Sequence, residues 1–159
     1  MTADLLQFLR ARLDEDERLA QAATPGPWRH DATKHWHQPG TCQFEEAVFA
    51  GAPGSAAICV AGTGDSDDPQ SMADADHIAR HDPARVLAEV DAKRQLLGPG
   101  GPFCTSECDR PDNQPMDPDT GWTTPLEHHF DCGIHRAAEI LAAPYADHPD
   151  YRPVWAPSA

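Results

Sequence analysis

The chain has little positive charge. Its 159 residues hold 12 Lys and Arg against 26 Asp and Glu, for a formal net charge of −14. The imbalance grows toward the C-terminus, where residues 101–159 carry 3 basic and 10 acidic side chains. No basic stripe exists, so direct binding to a nucleic-acid backbone is not expected. Such acidity suits solubility, or, if arrayed over one surface, mimicry of nucleic acid toward a basic partner. Long apolar runs are also missing. Nothing approaches the roughly 20 residues needed to span a bilayer, so no membrane association is expected. The start, MTADLLQFLRARLDEDE, is amphipathic and acidic and lacks the basic start and apolar block of a signal peptide. Cytoplasmic residence is the default expectation. The five Cys are then thiols or metal ligands rather than disulfides.

One long stretch lacks Gly and carries the clearest helical pattern, Ser71 to Leu97, SMADADHIARHDPARVLAEVDAKRQLL. Ser71 is a suitable N-cap, with Asp74 in the capping-box position. Ala75, Ile78 and Ala79 form a short apolar stripe. Pro83 pushes Asp82 out of the α region, and Asp82 can cap a second helix with Pro83 at its first position. Val86, Leu87, Val90 and Leu97 supply the second stripe, which Gly98-Pro99-Gly100-Gly101-Pro102 ends. The expectation is a helix pair kinked at Asp82-Pro83.

Before it, Leu5, Leu6, Leu9, Leu13 and Ala20 mark an N-terminal helix that Thr2 can open and Thr24-Pro25-Gly26-Pro27 stops. Trp28–His37, Cys42–Phe49 and Ala56–Ala61 read as three short strands in an antiparallel meander. The first helix and the helix at 83–97 are expected to cover one face of it. Cys59, between Ile58 and Val60, reads as a core thiol. After the polar insertion, Ile134, Ala138, Leu141 and Tyr145 predict a last helix over 134–143. Tyr151 and Trp155 of the Pro-broken tail are expected to dock on the sheet. The fold class is therefore α+β in a single domain over 1–159. It comprises an N-terminal helix, a three-stranded antiparallel meander, a kinked helix pair, a Cys/His insertion over 98–133, and a C-terminal helix with a docked tail.

The insertion carries the strongest chemical signal. Cys104 and Cys108 have three residues between them, inside the range of a zinc knuckle. Cys132 offers a third thiolate. His129, separated from Cys132 by two residues as in a knuckle, is the preferred fourth ligand, with His128 and His135 as alternatives. The segment is polar and Pro-rich and cannot make its own core. Structural Zn²⁺ would supply the missing folding free energy. The other reading is three unbound thiols. Four closed ligands argue against catalytic zinc, which keeps a position open for water.

Other constellations are thinner. His77 and His81 share a helix face, with Asp74 on that side. A zinc-protease helix would need Glu where Ile78 stands. The pair reads either as a metal or acid–base site or as surface hydrogen bonding around the kink. His30, His35, His37 and Cys42 could in principle ligate a metal, but no pair has knuckle spacing. In Gly62–Pro69 no Lys follows the glycines, so a phosphate loop is not supported. Asp65, Asp67 and Asp68 could hold Mg²⁺ or simply cap the next helix.

FLRARLDEDE, ATPGPWR at 23–29, DDPQSMADADHIARHDPARVLAEVDAKR at 67–94 and YADHPDYRPVW at 145–155 resemble, in this order, a family of small uncharacterised proteins of actinobacteria and phages. The family is a domain of unknown function. Its members often carry a Cys pair and a later Cys before the final helix, matching Cys104, Cys108 and Cys132, although their pair usually has two intervening residues. The resemblance implies no catalytic residues and no substrate. Together these features predict a zinc-stabilised, non-enzymatic module, of phage or mobile-element origin, acting on a protein partner. The alternative is a small metal-dependent hydrolase of a nucleotide or phosphoester using Asp65, Asp67, Asp68, His77 or His81.

Overall fold

The computed structural model describes residues 2–31, 46–51, 57–65, 68–98 and 133–157. The order of elements is α1 (Thr2–Ala22), β1 (Trp28–His30), β2 (Glu46–Ala50), β3 (Ile58–Gly64), α2 (Pro69–Arg80), α3 (Pro83–Leu97) and α4 (Gly133–Ala142). Two short 3-10 turns follow, Ala143–Tyr145 and Pro153–Trp155. This is the expected α+β layout, with an N-terminal helix and a three-stranded antiparallel meander in the order β1-β2-β3. The chain divides into two compact units. One is Asp16–Val90 and the other combines Met1–Glu15 with Asp91–Ala159. Among the described residues no helix is long and apolar enough to cross a membrane.

The α1 stripe is buried as its spacing requires: Leu5, Leu6, Leu9, Leu13 and Ala20 are all core residues. Burying each Leu stabilises the fold by about 2 kcal/mol. Phe8, outside the predicted stripe, is buried as well.

In the unit Asp16–Val90, β2 is the central strand and every residue in it is buried, Glu46 included. β3 is longer than its apolar run suggests, because two register shifts let seven residues pair with five. At each bulge one β3 residue, Val60 or Thr63, has no partner opposite it. Gly62-Thr63-Gly64, beyond the expected strand Ala56–Ala61, therefore belongs to β3, and Thr63 Oγ1 donates to the Glu46 carbonyl at 3.2 Å. As the last strand, β3 is only half-buried. Ile58 is exposed, and the Cys59 side chain is half-buried rather than part of the core. The helix that packs across all three strands is α2. The expected cover was α1 and α3.

The helix pair forms with one shifted start. Asp68, not Ser71, is the N-cap of α2, with Pro69 in the first turn. The Asp68 carboxylate accepts from Ser71 N at 2.8 Å and from Ser71 Oγ at 2.7 Å. Asp74 is engaged one turn into the helix, accepting from the Gln70 amide at 2.8 Å. Pro69 moves the helix start upstream because it fits the first turn without needing an N–H donor. The break falls where expected: Asp82 lies outside both helices, and its Oδ1 accepts from Arg85 N at 2.9 Å.

In the other unit, α4 buries Ile134, Ala138 and Ala142, so its stripe runs every fourth residue and leaves Leu141 half-buried. The tail, expected on the sheet, docks on α1 within this unit. Phe8 is ringed by Tyr145, His148, Tyr151 and Trp155, with centroids 6.3, 5.6, 6.0 and 5.1 Å away. Trp155 is 5% exposed.

Candidate functional site

Among the described residues, His30, Glu46 and Asp76 form a polar cluster with a buried centre. β1 pairs with β2, and α2 lies on both, which brings three residues far apart in sequence to one ring. His30 Nε2 lies 2.9 Å from Glu46 Oε2, and His30 Nδ1 lies 3.0 Å from Asp76 Oδ1. The His30 and Glu46 side chains are 3% and 2% exposed, whereas Asp76 is 67% exposed. A neutral imidazole has one donor and one acceptor nitrogen, so it can serve only one of two carboxylates. An imidazolium serves both. Burial is the largest single influence on His30 and pulls its pKa down. The hydrogen bonds and charges of Glu46 and Asp76 together outweigh it, and the pKa is raised above the ordinary value.

Both ring nitrogens are thus committed. The two carboxylates sit on opposite sides of the ring and cannot converge with it on one ion. The cluster is a hydrogen-bonded clasp that fastens α2 to the sheet, not a free base. Among the described residues no three His, Cys, Asp or Glu side chains are grouped to hold a metal.

A second feature lies wholly in the unit containing the termini. A cavity of about 220 Å³ is lined by Phe8, Trp155, Arg12, Arg152, Asp4 and Asp150 among others. Arg152 lies over the Trp155 ring at 5.2 Å and pairs with Asp4 at 2.9 Å. Arg12 lies 5.7 Å from the Phe8 centroid, pairs with Glu15 at 3.1 Å and meets His148 Nε2. Trp155 Nε1 and Arg12 Nε are buried and have no hydrogen-bond partner.

The predicted site residues fall variously. Cys104, Cys108, His129 and Cys132, with His128, lie outside the described residues. So do His35, His37, Cys42 and Asp67. His135 is described: its Nε2 lies 3.2 Å from Glu139 Oε1, and its Nδ1 is buried without a partner. Asp68 caps α2, and the Ser71 hydroxyl, then the Ser71 N–H, hold its carboxyl below the usual range. Asp65 is exposed, and its carbonyl accepts from Asp68 N at 3.4 Å. His77 and His81 do come together, with ring centroids 4.5 Å apart.

By sequence His30 is a possible metal ligand, whereas Glu46 and Asp76 are not among the candidate residues. One signal was available. Glu46 opens EAVFA, the most apolar strand of the meander, and an acid in a buried strand needs a partner.

No curated protein and no solved structure matches the chain. One family model does, over residues 2–157. That span takes in both compact units and the insertion between α3 and α4, and the chain belongs to the family of unknown function DUF6221.

Proposed function

We propose that this protein is a non-enzymatic binding and regulatory module, stabilised by a structural zinc ion on Cys104, Cys108, Cys132 and one histidine. The observation that carries the reading is the state of His135, three residues after Cys132. Its Nε2 faces the Glu139 carboxylate, which in the neutral ring holds the proton there and leaves Nδ1 as a lone pair. That Nδ1 is buried and unpartnered. A histidine held by a carboxylate through one nitrogen, with the other nitrogen vacant, is the arrangement of a metal ligand with its supporting partner. His135 therefore competes with His129 for the fourth position.

The non-enzymatic part rests on how the acid–base groups are used. His30 is clasped by two carboxylates, and Asp68 is spent on capping α2. Asp68 and His77 stand nine residues apart along one helix, about 13 Å, too far to share a small reacting centre. The cavity walled by Phe8, Trp155, Arg12 and Arg152 presents the residue types that dominate protein–protein binding energy. A host protein bound by a phage or mobile-element accessory factor fits this chemistry.

Metal analysis of protein purified without chelator tests the reading. One zinc per chain is expected, lost in Cys104→Ser. Loss in His135→Ala and retention in His129→Ala would assign the fourth ligand, and the reverse would assign His129. Absence of zinc from the wild-type protein would overturn the zinc site. Turnover of a nucleotide panel with Mg²⁺ or Mn²⁺, abolished by Asp68→Ala, would overturn the non-enzymatic reading in favour of a hydrolase.

A further inference from the structure

The helix face that carries His77 and His81 is used by neither the clasp nor the cavity. Both side chains belong to the C-terminal end of α2, and both residues are exposed. Side chains four apart on a helix stand about 5–6 Å from one another at Cβ. Here the rings lean together rather than apart, with centroids 4.5 Å apart and planes inclined at 43°.

The hydrogen bonding of His81 selects its tautomer. His81 is the C-cap of α2, and its Nδ1 lies 2.8 Å from the His77 carbonyl oxygen. A carbonyl only accepts, so Nδ1 carries the proton and donates. In the neutral ring Nε2 is then a bare lone pair. Backbone-carbonyl support of this kind orients metal-binding histidines.

We infer that His77 and His81 form a two-imidazole chelate for a divalent first-row transition ion such as Ni²⁺, Co²⁺ or Cu²⁺. Two nitrogens each about 2 Å from one ion lie roughly 3 Å from each other. Rings whose centres are 4.5 Å apart can meet that requirement by rotamer adjustment on the exposed face. Imidazole suits these ions, whereas carboxylate and water suit Mg²⁺ and Ca²⁺. Asp74 is not a third ligand, since it accepts from Gln70. The remaining coordination positions go to water or to a donor from a second molecule. Such an ion would clamp the last turn of α2 just before the break at Asp82-Pro83. The site is separate from the Cys-containing insertion and does not depend on the zinc reading.

The test uses the full chain at pH 7.5, titrated with Ni²⁺ by calorimetry and with Cu²⁺ by paramagnetic broadening of amide resonances. Cys132→Ser serves as the background that removes part of the competing thiol set. The expected result is broadening centred on residues 77–81, retained in Cys132→Ser. Either His77→Ala or His81→Ala should weaken Ni²⁺ binding about tenfold or more. Both side chains are exposed, so the variants should keep the circular dichroism of the parent. Broadening centred elsewhere, or unchanged affinity in both variants, would overturn the chelate. Loss of binding in Cys132→Ser alone would transfer the ion to the insertion and overturn it equally.

Discussion

His30 and Glu46 are buried against each other, at 2.9 Å, with neither side chain more than 3% exposed. Removing one member of such a pair takes the closest partner from a group held out of water, at a cost of about 3 kcal/mol. Glu46→Gln and His30→Gln should each lose stability on this scale. Asp76→Asn should lose less than about 1 kcal/mol, because the Asp76 carboxylate is itself open to water. The sign of the pH effect follows from the raised pKa of His30. A histidine with folded pKa above its unfolded value, about 6.5, contributes stability that is fully present below that value. The contribution is lost as pH rises through the folded pKa. Urea midpoints measured from pH 5.5 to 9 should therefore fall more steeply in the wild type than in His30→Gln. Equal slopes in the two proteins would remove the clasp from the account.

What could be read from the sequence follows from range. The α1 stripe, the Asp82-Pro83 break and the start of α4 depend on neighbours within one or two turns, and the spacing of Leu5, Leu9 and Leu13 or the presence of Pro83 declares them. The N-cap of α2 was misplaced by three residues because Ser71 and Asp68 both have capping side chains. Asp68 is the cap, and it uses Ser71 as its donor. The clasp was illegible because His30 meets Glu46 and Asp76 only after the strands pair and α2 crosses them. The docking of Trp155 on Phe8 spans nearly the whole chain, and nothing local distinguishes α1 from the sheet as its platform.

Gly64 of β3 lies against Ser71 of α2. Gly64 has φ +147°, and a Cβ added there would collide with Ser71 Oγ. Gly64→Ala meets both penalties and should cost about 2 kcal/mol. Ser71→Gly in the same chain should relieve the collision and not the backbone strain, so the double variant should recover only part of the loss. Full recovery in thermal melts would mean that the positive φ costs nothing.

Both members of the helix pair rely on an aspartate cap, and the two can be separated. Asp82→Ala removes the acceptor for Arg85 N and should cost about 1 kcal/mol, with Asp82→Asn largely restoring it. Asp68→Ala should fray the start of α2, seen as faster amide exchange at Ser71 and Met72 while α3 is unaffected. The lowered pKa of Asp68 gives this cap the opposite pH sign to the clasp. Its contribution is present above the usual carboxylate range and is lost as pH falls through the folded value. Exchange at Ser71 that does not quicken toward acid, relative to Asp68→Ala, would count against the cap.

The tail is held by Phe8. Its ring stands 5.1 Å from that of Trp155, inclined at 39°, and edge-on to Tyr145 and Tyr151. Aromatic contacts of this geometry add to plain area burial. Phe8→Ala would open a void under four rings and should cost about 3 kcal/mol. Phe8→Leu keeps apolar volume but loses ring geometry and should cost less. The loss should be local first: limited proteolysis ought to release residues after Tyr145 in Phe8→Ala before α1 itself opens. The Arg152–Asp4 pair is about half-exposed at both ends and should matter little to this, so Asp4→Asn is a suitable control. If Phe8→Ala left the tail protected while Phe49→Ala on β2 released it, the sheet would be the true platform. The cavity beside Trp155 would then lose the wall on which its role in binding depends.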